Sequence, residues 1–224
     1  MNNAQDNFYP PSPSFKEAVE EVVDEILPRK IFDVSWNKYF YHLETFEYQS
    51  TITSWGISIS GTAGVNWTST PQPLFYLGAD TNTASVKVGK YVFQNEFLSY
   101  DKIQYFRTVV SLTDVTDVEV DISIGGGYGF KITNNAITGY AGANTTGTLK
   151  TLTNNEGVKL EARLFPGDKC IFLIDDEEKG VVIVPSSLTG NNISLWELQL
   201  TNNDSADDNK RMYIQWFEFQ QKTN

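Results

Sequence analysis

The sequence predicts an all-β antiparallel sandwich preceded by a short N-terminal arm and helix. Three observations predict it: strict apolar–polar alternation in several segments, turn residues at short intervals between them, and a change of hydrophobic period near residue 30. In Val158-Lys159-Leu160-Glu161-Ala162-Arg163-Leu164 every second residue is apolar, the pattern of a strand with one buried and one wet face. Val118, Val120, Ile122 and Ile124 alternate with Glu119, Asp121 and Ser123 in the same way. Gly, Asn and Asp turns separate such runs, and no helical pattern intervenes beyond Ile31, so a sandwich or barrel follows. No fixed-period repeat is present, which argues against propellers and solenoids.

Residues 1–13 contain Pro10, Pro11 and Pro13 and little that could enter a core, so they read as an extended arm. Ser14-Phe15-Lys16-Glu17 is a capping box, in which the Ser hydroxyl takes a free amide and Glu17 reaches back. Phe15, Ala18, Val19, Val22, Val23 and Ile26 then follow helical spacing up to the stop at Pro28. A helix of about three turns is marginal alone, so its stripe, with Phe15, Val19, Val22 and Ile26 as assembly contacts, has to dock on something. The division is therefore 1–30 as arm and helix and 31–224 as one sandwich domain.

Further strands are expected at Trp55–Ile59 and at Tyr128–Ile132, the latter entered through Gly125-Gly126-Gly127. Cys170–Ile174 and Val181–Val184 flank the acidic turn 175–180 as a hairpin. The last strands are Ile193–Leu200 and Arg211–Phe219.

The formal charge of −11 argues against a nucleic-acid surface, because phosphate neutralisation needs clustered Lys and Arg. No apolar stretch is long enough to span a membrane, and the N-terminus shows no basic or apolar leader. The single cysteine, Cys170, lies in an apolar run and reads as a buried thiol. Nucleophilic catalysis would have to use the one histidine, His42, which sits in an aromatic segment without a nucleophile motif. One His and one Cys cannot build a zinc site. The acidic stretches 175–178 and 204–208 lack calcium-loop spacing and read as solvated turns, so no cofactor or metal is expected. Trp67, Tyr76 and Tyr140 lie in polar, Gly- or Pro-containing surroundings and read as exposed rings able to stack on sugars.

Gly129-Phe130-Lys131-Ile132, Val158 to Leu164, Gly167 to Asp175, Leu198 to Asn202 and Met212 to Glu218 occur in an order that resembles concanavalin A-like lectin/glucanase domains, especially those of phage structural proteins. The likeness covers roughly residues 100–220 and implies a jelly roll of two curved antiparallel sheets. Glucanases of this kind carry Glu-x-Asp-x-x-Glu on one strand; here Glu119 and Asp121 match and Ile124 stands at the third position, so the acid set is incomplete. The expectation is a non-enzymatic virion component, made in the host cytoplasm, anchored through residues 1–30 to other virion proteins or to copies of itself. A carbohydrate-binding module for host attachment is the alternative, and a glucanase-type hydrolase a distant third.

Overall fold

The alternating segments pair into two antiparallel sheets. The computed structural model describes residues 39–44, 46, 55–68, 74–91, 98–190, 194–205 and 209–222. The expected arm, the helix over Ser14–Leu27 and the contact residues Phe15, Val19, Val22 and Ile26 lie outside the described residues. Among those described there is no helix.

The strands run in chain order as β1 (Tyr39–Glu44), β2 (Trp55–Ser60), β3 (Ala63–Thr68), β4 (Leu74–Ala79) and β5 (Ser85–Tyr91). There follow β6 (Gln104–Leu112), β7 (Val118–Ile124), β8 (Tyr128–Thr133), β9 (Ala136–Ala141), β10 (Asn144–Thr145) and β11 (Lys150–Thr151). The chain closes with β12 (Gly157–Phe165), β13 (Lys169–Ile174), β14 (Glu177–Ile183), β15 (Ser194–Asn202) and β16 (Lys210–Lys222). The first sheet has the order β14-β13-β12-β6-β16-β4-β3, with β1 also on β16. The second has the order β10-β9-β8-β7-β15-β5-β2, with β11 also on β9. Consecutive strands such as β2 and β3, or β15 and β16, therefore belong to different sheets, and the chain itself stitches the layers together.

Turn chemistry fixes the registers. Asp175 and Asp176 take φ of 53° and 69°, the left-handed pair that a two-residue hairpin needs, and Ile174 then faces Glu177. The acidic turn is thus shorter than expected: Glu177 to Gly180 belong to β14. Asn134, at φ 53°, begins the two-residue turn that sets Thr133 opposite Ala136.

Inward residues of the two sheets meet in one core. Val158, Leu160, Ala162 and Leu164 are all buried, as are Val118, Val120, Ile122 and Ile124 from the other sheet. The Phe106 ring stacks on Phe217 at 5.3 Å. Phe172 of the first sheet meets Phe130 of the second edge-on at 5.3 Å. Cys170 is buried here, and burial pushes its thiol pKa up, so the thiolate is disfavoured. Gly139 passes so near Phe172 that a Cβ would lie 2.5 Å from its ring. Gly139→Ala is accordingly expected to cost about 1–3 kcal/mol through overpacking, read as a melting temperature several degrees lower.

One expectation about strand faces needs correction. Glu161 points outward from the first sheet, yet it is only 3% exposed. Its carboxylate pairs with Arg163, and next to it Arg107 pairs with Glu218. Arg107 also lies 5.9 Å from the Tyr105 ring centre and 5.5 Å from that of Trp216. Alternation assigns a side chain to a face and leaves open whether that face is wet; here long charged and aromatic side chains bury one another.

A second buried ion group ties loops together. Lys210 is fully buried, and its ammonium holds Asp114 at 2.5 Å and Asp204 at 2.9 Å. Burial works to raise the Asp114 carboxyl, but hydrogen bonds from Lys210 and the Thr116 amide, with the Lys210 charge, hold it below the usual range. A depressed folded pKa contributes stability above the unfolded value of about 4 and loses it as pH falls. Lys210→Met is therefore expected to lower stability at neutral pH by about 3–5 kcal/mol, since it leaves carboxylates without their cation. The wild-type advantage over this variant should shrink as denaturation curves are taken to lower pH.

Candidate functional site

The outward face of the second sheet carries an arrangement of polar side chains around a cleft. Alternation in β7 is unbroken, so Glu119, Asp121 and Ser123 all face outward. Pairing places Glu197, Gln199 and Thr201 of β15 directly beside Ser123, Asp121 and Glu119. On the other side Lys131 of β8 sits beside Asp121, and across β15 Lys87 of β5 sits beside Gln199. Glu119 and Asp121 thus share a face with Ser123, and the third carboxylate comes from a neighbouring strand as Glu197.

Tyr140 completes the arrangement. Gly129 lies directly between Ser123 and Tyr140 in the sheet and presents no side chain. The Tyr140 hydroxyl donates to Asp121, at 2.9 Å from one carboxylate oxygen and 3.2 Å from the other. The Lys131 ammonium lies 5.1 Å from the centre of the Tyr140 ring. Lys87 and Glu197 form an ion pair at 2.6 Å.

Together these side chains bound a cleft of about 340 Å³. Gly126, Gly142 and Ala143 also line it. A contiguous depression of about 350 Å³ shares Asp121, Lys131 and Gln199 and runs on to Glu119 and Thr201. Burial raises the Asp121 carboxyl above its usual range, against hydrogen bonds from Tyr140 and Ser123 and the charge of Lys131. Burial, followed by the negative charge of Asp121, raises Tyr140 as well, so its hydroxyl keeps its proton and remains a donor. The cleft offers carboxylate, amide and hydroxyl groups at fixed spacing on strands, which suits a ligand carrying many hydroxyls.

The sugar-stacking residues expected from the sequence are not brought together. Tyr140 lines the cleft, but it is only 5% exposed with Lys131 against its ring, so it serves as an anchor for Asp121 and not as an open stacking surface. Tyr76 lies on the outward face of the other sheet, tilted against Tyr213 at 5.3 Å, with Arg211 5.4 Å from its ring centre. The Trp67 backbone pairs with Phe75, and its side chain lies outside the described residues.

His42 lies 3.8 Å from Glu44, which suggests an ion pair by distance. Burial, followed by the Lys90 charge, instead pushes its pKa down to about 4, so the imidazole is neutral near pH 7. Lysines hold acids of both acidic stretches: Lys150 holds Asp175 at 2.7 Å, Lys159 holds Asp176 at 2.6 Å and Lys210 holds Asp204 at 2.9 Å. Among the described residues, no group of three or more His, Cys, Asp or Glu side chains could hold a metal ion.

No protein-family profile matches the sequence, and no curated protein matches it. Solved structures do. A protein of unknown function from Shewanella oneidensis MR-1 is similar over 96% of this chain and 97% of its own, at TM-score 0.57 and 14% identity. A structure of botulinum neurotoxin type C, described as entering cells through interaction with two ganglioside molecules, matches 82% of this chain at TM-score 0.52 and 13% identity. The binding domain of botulinum neurotoxin DC, solved with rat synaptotagmin II, matches 80% at TM-score 0.53 and 15% identity. The chain shares their two-sheet fold. It spans about half the length of the neurotoxin neighbours, 47% in both cases. At such identities the likeness establishes the sandwich and leaves the chemistry to this chain's own residues.

Proposed function

We propose that this chain is a non-enzymatic carbohydrate-binding domain that holds its ligand in the cleft on the outward face of the second sheet. One observation carries the reading: Asp121, a half-buried carboxylate, is fixed by Tyr140 in a concave surface whose other groups include Gln199, Ser123 and Thr145. Sugar hydroxyls donate to such carboxylates and exchange bonds with amides and hydroxyls. The fold shared with receptor-binding domains of toxins supports the reading. It also accommodates the finer assignment to a concanavalin A-like jelly roll. A virion component anchored through residues 1–30 is the second reading, carried by the resemblance over roughly residues 100–220; the fold shared with toxin binding domains favours glycan binding as the primary one.

The absence of turnover is part of the proposal. Hydrolysis needs one carboxyl free to donate a proton and a second free to attack or to activate water. Asp121 is held by Tyr140, and Glu197 is held by Lys87.

The test is a screen against immobilised oligosaccharides followed by calorimetry on the strongest binder. Asp121→Ala should weaken binding about ten- to a hundredfold, the range for a hydrogen bond to a charged group, while the melting temperature stays within a few degrees. Release of reducing ends by the purified protein, abolished in Glu119→Gln, would overturn the non-enzymatic reading.

A further inference from the structure

We infer that the cleft selects uncharged glycans and rejects sialylated or sulfated ones. The inference rests on the binding site proposed above and adds the class of ligand. Three carboxylates, Glu119, Asp121 and Glu197, line the two contiguous depressions, against the two ammonium groups of Lys87 and Lys131.

Each ammonium already faces a carboxylate of the cleft, Lys87 with Glu197 and Lys131 with Asp121. Lys87 is committed to Glu197 at 2.6 Å. Lys131 lies against the Tyr140 ring at 5.1 Å, beside Asp121 in the sheet. A sialic acid carboxylate or a sulfate entering here meets Asp121 at the centre and an excess of negative charge around it, on a chain whose formal charge is −11. Half-burial of Asp121 keeps that repulsion from being screened away by salt, as it would be on an open surface. A neutral hexose instead brings hydroxyl donors, which match carboxylates that accept only. Gln199 and Ser123 can both donate and accept, so ring oxygens and hydroxyls are served without any cation. The neurotoxin neighbours, one of which is described as depending on gangliosides, share only the sandwich at this level of identity, and the charge in this cleft belongs to this chain.

The experiment uses the full chain on an array carrying N-acetyllactosamine and lacto-N-tetraose, each printed plain, α2-3-sialylated and 6-sulfated. Cello-, manno- and malto-oligosaccharides accompany them. The expected result is binding to at least one neutral glycan, with every acidic derivative at least about tenfold weaker than any neutral parent that binds. In the double variant Glu119→Gln/Glu197→Gln the excess reverses in favour of the two lysines, and Lys87 loses its partner. Its binding to the sialylated and sulfated probes should rise at least about tenfold over wild type at low salt, with a melting temperature close to wild type. An acidic glycan bound as tightly as its neutral parent, or a double variant that gains nothing, overturns the inference and leaves the binding site standing. Failure of the wild type to bind any printed glycan overturns the binding site and the inference together.

Discussion

Leu160→Asp is expected to abolish folding, and Glu161→Ala to destabilise the same strand by about 3–5 kcal/mol. Leu160 is fully buried and pairs with Ile174 on one side and Thr108 on the other. Losing its packing alone costs about 2–5 kcal/mol. An unpaired carboxylate in its place adds to that, against a total stability of about 5–15 kcal/mol for an ordinary domain. Glu161 is the less obvious case. Its removal leaves Arg163 and Arg107 with one carboxylate, Glu218, between them in a buried network, and breaking such a pair is costly. Lys159→Ala, in the same strand, removes only the exposed pair with Asp176 and should cost less than about 1 kcal/mol. Soluble yield and urea denaturation of the three variants give the order. A Glu161→Ala protein as stable as Lys159→Ala would mean that the first sheet's outward face is open to water.

The second large effect is expected at Tyr140. Tyr140→Phe removes a single hydroxyl and leaves the ring, with the Lys131 ammonium beside it, in place. Asp121 then keeps only Ser123 of its two side-chain hydrogen-bond donors, and glycan affinity should fall about tenfold or more. The pH dependence follows from the same contact. A sugar hydroxyl donates best to an ionised carboxylate, so affinity falls as pH falls through the Asp121 pKa. Burial raises that pKa above the ordinary aspartate value of about 4, so the midpoint of the loss lies higher than for an exposed aspartate. The Tyr140 hydrogen bond favours the ionised form, so in Tyr140→Phe the midpoint moves higher still. Calorimetric titrations at stepped pH on both proteins read the two effects. Equal affinity and equal midpoints would remove Tyr140 and Asp121 from the site.

Much of the fold was legible because a period of two marks a half-buried strand. β7 and β12 show it cleanly, with acids and bases strictly opposite Val, Ile and Leu. β6 does not, although it lies at the centre of the first sheet, because Tyr105 and Val109 on its outward side are as apolar as Phe106 and Val110 on its inward side. β9 is obscured differently: Gly139 faces the core and Tyr140 faces out, so size and polarity run against the usual pattern. The buried state of Glu161 had no local signal either, since it depends on Arg107 and Glu218 from two other strands.

The cleft was half legible. Glu119 and Asp121 are visible in the sequence as outward acids of one strand, and Ile124 stands where the resemblance places a third acid. The cleft's third carboxylate is Glu197 of β15, which lies opposite Ser123, a placement that only strand order reveals. One cross-strand contact was within reach of the sequence. The Asn134-Asn135 turn sets Thr133 against Ala136, and counting back along both strands puts Gly129 opposite Tyr140. An aromatic ring paired with a glycine tends to lie over it, which identifies Tyr140 as a side chain reaching towards β7 and not as an exposed platform.

The measurement that tests the central claim most directly is the backbone amide spectrum of the labelled domain during titration with its strongest oligosaccharide ligand. The predicted result is a set of shifts concentrated at Glu119, Asp121 and Ser123 on β7, at Lys131, at Tyr140 and at Glu197 to Thr201 on β15, and absent from the same titration of Asp121→Ala. Shifts gathered at Tyr76, Arg211 and Tyr213 on the opposite sheet, unchanged in Asp121→Ala, would contradict it and place the glycan on the other face of the sandwich.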